Sequence, residues 1–204
     1  MFKRISILLA ALTFSLSAQA TLIDFTDDSW LTAINAGGGT TATIGNATLT
    51  ANTGYLTFNA NDNAGCIAGQ PINGLTCDGD GIGIYNDEIS EGGSQQVTVS
   101  FNEAVNISNI FLLDLFSSEQ TGEIAIIDGI EYFGDNLLAG GFYATGYTGQ
   151  GITSLTFSGN LDSFSDYAVA GIEVSAVPLP GAVVLFGTAL LGFFGVGASR
   201  RRAV

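Results

Sequence analysis

The chain has 204 residues, 19 of them acidic and 5 basic, with no histidine and a formal net charge of −14. The cations Lys3, Arg4, Arg200, Arg201 and Arg202 stand at the two ends, and every carboxylate lies from Asp24 to Glu173. A body without Lys, Arg or His has nothing to neutralise phosphates, which argues against nucleic acid as a partner. It also lacks a His base, a Lys Schiff base and a cationic clamp for phosphoryl transfer, so the composition points away from an enzyme.

Residues 1–20 read as a secretory signal peptide. Lys3 and Arg4 form its positive start, Ile5 to Leu16 its apolar centre, and Ala18-Gln19-Ala20 a small-x-small cleavage pattern. The mature chain is expected to begin near Thr21.

Residues 21–176 are expected to form one all-β domain, a β-sandwich or jelly roll. Thr48 to Thr50, Tyr55 to Phe58, Gln96 to Phe101 and Thr153 to Phe157 alternate apolar and polar residues. A period of two places one face inward and one outward. Ile110 to Leu113 and Ile124 to Ile127 are more continuous and suggest central strands. Glycine clusters at 37–39, 92–93 and 140–141 separate the runs, and no stretch shows a strong helical period or caps. Leu22 to Phe25 and Ala168 to Val174 are expected to lie close, as domain ends commonly do. Asp24 and Glu173 could then approach each other.

Cys66 and Cys77 enclose ten residues. In an exported chain an even pair reads as a disulfide, with two buried thiols as the alternative. The next segment, Asp78 to Glu88, is dense in acids and glycines. Calcium takes six to eight oxygens from carboxylates, amides and carbonyls. Asp78, Asp80, Asn86, Asp87 and Glu88 are therefore candidate ligands of a structural calcium ion, against the plainer reading of a solvated acidic turn. An EF-hand is excluded because Ile82 and Ile89 occupy its fifth and twelfth places. Asp114 interrupts an apolar run, and simple alternation points its side chain outward, with Leu113 and Leu115 inward.

The C-terminal tail, residues 177–204, carries a second address. Val177-Pro178-Leu179-Pro180-Gly181 cannot join a helix behind it. The apolar run 182–198 would span roughly 25 Å at about 1.5 Å per residue, long enough for a short transmembrane helix. Arg200-Arg201-Arg202 would stay on the cytoplasmic side, leaving the body across the membrane. Pro-x-Pro, an apolar helix and a terminal arginine cluster resemble the PEP-CTERM sorting signal in its Val-Pro-Leu-Pro variant. The resemblance covers about residues 177–202. It implies an exosortase-type processing enzyme as partner, transient residence in the cytoplasmic membrane, and delivery to the cell surface or the exopolysaccharide matrix. It implies no catalytic activity in the body.

Three functions compete. The first is a non-enzymatic surface or matrix protein. The second is a lectin-like glycan-binding module, since aromatic faces stack on sugars and acids accept their hydroxyl hydrogens. Its candidates are Tyr85, Tyr143, Tyr147 and Tyr167. The third is a glycosidase, which needs two carboxyl groups flanking a cleft, and no pair stands out in the sequence.

Overall fold

The computed structural model describes residues 19–59, 66, 70–85, 88–90, 94–117, 122–134, 141–160, 165–177 and 187. Residues Gln19–Val177 cluster as one compact unit. In chain order its elements are β1 (Thr21–Asp24), α1 (Ser29–Ala36), β2 (Thr41–Ile44), β3 (Ala47–Ala51), β4 (Leu56–Asn59), β5 (Gly81–Ile84), β6 (Gln96–Leu113), β7 (Ile124–Ile127), β8 (Ile130–Phe133), β9 (Tyr143–Ala144), β10 (Gly149–Gly159) and β11 (Ala168–Ala176). Strands predominate, as the alternating sequence implies, and the strand pairings among the described residues are antiparallel.

The long strand β6 organises the sheet. Its first part, Val97 to Phe101, pairs with β3, and β10 pairs with β6 from Gln96 to Ser100 and again at Val105 and Ile107. From Val105 to Leu113 β6 pairs with β11, and Phe111 and Leu112 also pair with β9. Between the two parts the exposed Asn102 and Glu103 break the in–out alternation. The sequence suggests two runs here, 96–101 and 110–113, because the polar residues between them hide the continuity. The main path through the sheet is β4-β5-β11-β6-β10-β7-β8, with β1 beside β11, β3 and β9 beside β6, and β2 beside β3. Leu49, Val97, Val99, Leu155, Phe157, Val169 and Ile172 belong to one buried cluster, so the alternating side chains converge on a shared core.

The two ends of the body do pair. Asp24 lies opposite Gly171, and Leu22 lies opposite Glu173. Asp24 and Glu173 are thus diagonal neighbours across the pair, and each carboxylate has its own hydrogen-bond partners. Asp24 accepts from the Thr26 and Thr76 amides at 2.9 and 2.7 Å, while Glu173 accepts from Ser108 Oγ at 3.1 Å.

Helix α1 corrects the expectation of a body without helices. It has only eight residues, and just Trp30 and Ile34, one turn apart, are buried. Two buried positions are too few to announce a helical period in the sequence. Tertiary contacts hold it instead, as is usual for short helices. Trp30 Nε1 donates to the Asp24 carbonyl at 2.8 Å, and its ring lies 5.0 Å from that of Phe25.

Candidate functional site

Cys66 and Cys77 form a disulfide with a Cα–Cα distance of 5.1 Å. Both are fully buried, packed with Leu75, Phe111, Leu113, Phe142 and Ala170. The Cys66 amide donates to Asp80 Oδ1 at 2.9 Å, and the Cys77 amide donates to Thr26 Oγ1 at 3.0 Å. Thr26 Oγ1 in turn donates to Asp24 Oδ1 at 2.6 Å. The crosslink therefore sits in a buried polar network that ties the first strand to the start of the acidic segment.

That segment is not a single loop. Its middle, Gly81–Ile84, is strand β5 and is buried throughout. Gly81 begins it with φ +113, and a Cβ there would stand 2.5 Å from the Val169 carbonyl. Only glycine gives this backbone conformation and this close approach together. The strand separates the expected calcium ligands. Asp78 is exposed, whereas Asp80 is fully buried beside the disulfide. Glu88 lies beyond the strand, where its carbonyl accepts from the Ile84 amide at 3.1 Å. Asn86 and Asp87 lie outside the described residues. Among the described residues no three His, Cys, Asp or Glu side chains form a group that could hold a metal ion.

Glu88 instead meets a residue that the sequence reading missed. Its half-buried carboxyl group is hydrogen-bonded to Asp166. Burial, that hydrogen bond, and the charges of Asp166, Asp114 and Glu123 push Glu88 up to about 9. The shift favours the protonated form of Glu88, which has a hydrogen to donate in its bond with Asp166. Ser90 Oγ donates to the same carboxylate at 3.1 Å. Two carboxyl groups in direct hydrogen bond stand closer than the roughly 5–10 Å that glycosidases use.

Asp114 corrects the outward assignment. It is 4% exposed and has φ +59 just after β6 ends, so strand alternation no longer governs its direction. Leu113 and Leu115 are buried as expected.

The tyrosines also divide. Tyr167 is fully buried, its hydroxyl donating to the Ser158 carbonyl at 3.0 Å, and burial pushes its phenol well above the ordinary range. It belongs to the core and not to a glycan site. Tyr143 and Tyr147 are half-buried, packed against the core. Tyr85 is 58% exposed and faces a partner not singled out in the sequence, Tyr55, which is 59% exposed. Their ring centroids are 6.5 Å apart at 85°. Tyr55 stands in an alternating run and reads there as an ordinary strand residue. Only the pairing of β4 with β5 brings it to Tyr85.

A cavity of about 580 Å³ borders β1, α1 and the β6 interruption, with Trp30, Ile44, Val105 and Val174 among its walls. Of its carboxylates, Asp24 is bound to Thr26 and Thr76, and Asp27 Oδ1 accepts from the Ser29 amide at 2.9 Å.

Of the expected processing residues, Ala20 and Val177 are described and exposed. Ala18, Pro178, Leu179, Pro180, Gly181, Arg200, Arg201 and Arg202 lie outside the described residues, as does the apolar run 182–198 except Gly187. Among the described residues no helix is long and apolar enough to cross a membrane. No family model, curated protein or solved structure matches the chain.

Proposed function

We propose that this chain is an exported, non-enzymatic protein of the cell surface or extracellular matrix, delivered by a PEP-CTERM-like tail. The observation that carries the proposal is the segregation of charge. All five cations flank the two apolar terminal segments, and the acidic body between them contains none. Positive residues beside apolar segments favour the cytoplasmic side, and both ends give the same orientation. The disulfide supports an oxidising destination. In the proposal the body is a β-sandwich whose two layers share β6, in keeping with the replacement of β3 by β11 as that strand's partner beyond its interruption.

The non-enzymatic reading is supported by the state of the carboxylates. Asp80, Asp24 and Asp27 spend oxygens on backbone amides, and Glu88 shares a hydrogen bond with Asp166. These groups hold the fold together.

Cell fractionation and mass spectrometry of the mature protein test the proposal. The expected product begins near Thr21, ends shortly after Val177, and stays in the surface or matrix fraction. Removing residues 177–204 should abolish that retention. Recovery of the intact, unclipped chain from the cytosol overturns the reading. Calcium is tested separately, by thermal melting with and without chelator. An ion bound only to the folded form raises the midpoint, and an unchanged midpoint removes it from the proposal.

A further inference from the structure

We infer that Tyr55 and Tyr85 form a binding platform for an uncharged polysaccharide, with the pyranose rings stacking on the tyrosine faces. The site concerns the body alone and stands whether or not the tail is processed.

The platform is built by the end of one strand pair. Tyr55 immediately precedes β4 and Tyr85 immediately follows β5, and the register Leu56↔Ile84 brings the two together. The Tyr85 amide donates to the Tyr55 carbonyl at 3.0 Å, which extends the ladder by one step. The strand path among the described residues ends at β4, so the pair stands at a sheet margin.

Both rings are seated on glycine. A Cβ on Gly39 would lie 2.9 Å from Tyr55 Cδ1, and a Cβ on Gly54 would lie 2.3–2.8 Å from three atoms of the Tyr85 ring. Each aromatic ring thus rests against bare backbone on one side. Gly39 is itself tied to the pair, because its carbonyl accepts from the Leu56 amide at 2.7 Å. Tyr85 also adopts φ +61, a left-handed conformation that a bulky L-residue adopts only at a conformational cost. A core tyrosine would recover that cost through burial. Tyr85 leaves more than half its surface in water, so the strain buys a fixed, outward aromatic ring. Residues held this way cluster at ligand clamps, and fixing a ring before binding lowers the entropy lost on association.

Charge selects the ligand. The glycines against the rings are uncharged, the exposed Asn52 and Thr53 just before Gly54 are polar, and the ionisable residues that follow Tyr85 in the chain, Asp87 and Glu88, are acids. The Asn52 amide and Thr53 hydroxyl are oriented by hydrogen bonds to the Ser94 carbonyl at 3.0 and 2.9 Å. An anionic polymer would find no cation between Arg4 and Arg200 to offset repulsion by the acidic body. A neutral sugar chain needs none. Its C–H face meets an aromatic face, and its hydroxyls meet amide and hydroxyl groups at the edge.

The test uses the full chain in a non-glycosidic detergent, with affinity electrophoresis through dextran or a soluble β-glucan and titration with cellohexaose. Alginate serves as the anionic control. We expect retardation by at least one neutral polymer and none by alginate. Tyr55→Ala and Tyr85→Ala should each weaken binding tenfold or more. Tyr55→Phe and Tyr85→Phe should retain it, and so should Phe133→Ala, which removes an exposed aromatic elsewhere on the body. Thermal melting of each variant separates lost binding from lost folding, and Tyr85→Asn, which removes the ring with a residue type that tolerates a positive φ, carries the test if an Ala variant unfolds. Absence of binding to every neutral polymer overturns the inference, as does binding indifferent to both Ala changes or equal binding to alginate. Concentration-dependent self-association that Tyr85→Ala abolishes, without any glycan binding, would assign the rings to a second copy of the chain and equally overturn it.

Discussion

Reducing the Cys66–Cys77 bond is the perturbation whose size can be worked out most directly. The cysteines are separated by 11 residues in sequence. Closing a loop of that length removes about 3 kcal/mol of conformational freedom from the unfolded chain at room temperature. Reduction removes no heavy atom, and although the two thiols part to van der Waals distance, they fill nearly the same buried volume. The difference between oxidised and reduced protein therefore reads the crosslink rather than the packing. The double variant Cys66→Ala, Cys77→Ala should lose more, by about 1 kcal/mol per site, because each sulfur leaves a gap among Leu75, Phe111, Leu113 and Phe142. Urea unfolding of the three forms at one pH gives the free energies. For a domain of this size, 3 kcal/mol corresponds to roughly 6–12 °C in Tm. A difference below about 1 kcal/mol between oxidised and reduced protein would refute the reasoning. It would mean that the hydrogen bonds of Cys66 to Asp80 and of Cys77 to Thr26, and not the covalent bond, set the stability of this corner.

Two further changes probe the acidic segment. Glu88 is pushed from 4.5 to about 9 on folding. Between those values the folded protein holds the extra proton, so its stabilisation is complete below about pH 4.5 and is lost as pH rises through about 9. Melting temperature should fall over that window, and Glu88→Gln, which keeps a donor for Asp166 without a charge, should flatten the decline; an unchanged slope in the variant sinks the assignment. Gly81→Ala should cost about 3 kcal/mol or more, from the forbidden φ and the collision with the Val169 carbonyl. Gly45→Ala, with φ +58 but open space around it, should cost only about 1 kcal/mol. Equal losses in urea unfolding would show that the collision contributes nothing.

Much of the sheet is legible in the sequence because a half-buried strand has to alternate. Leu49, Val97, Val99, Leu155 and Phe157 are all fully buried, and each stands on the apolar phase of a run visible in the sequence. Elements with little amphipathic signal are illegible. Helix α1 buries only two side chains. Strand β5 is Gly-Ile-Gly-Ile amid carboxylates, and it reads as loop until β4 and β11 are placed on either side of it.

The sequence by itself determined the strand-rich class and pointed to the Cys66–Cys77 crosslink, because composition and local periodicity carry those properties. Tertiary structure alone decided which polar residues meet. Glu88 finds Asp166, and Tyr55 finds Tyr85, across distances in the chain that no local pattern records. It also turned Asp114 inward and buried Asp80 and Tyr167. The direction of a side chain at a strand's end depends on a single backbone angle, and its surroundings depend on strands that arrive from elsewhere in the chain.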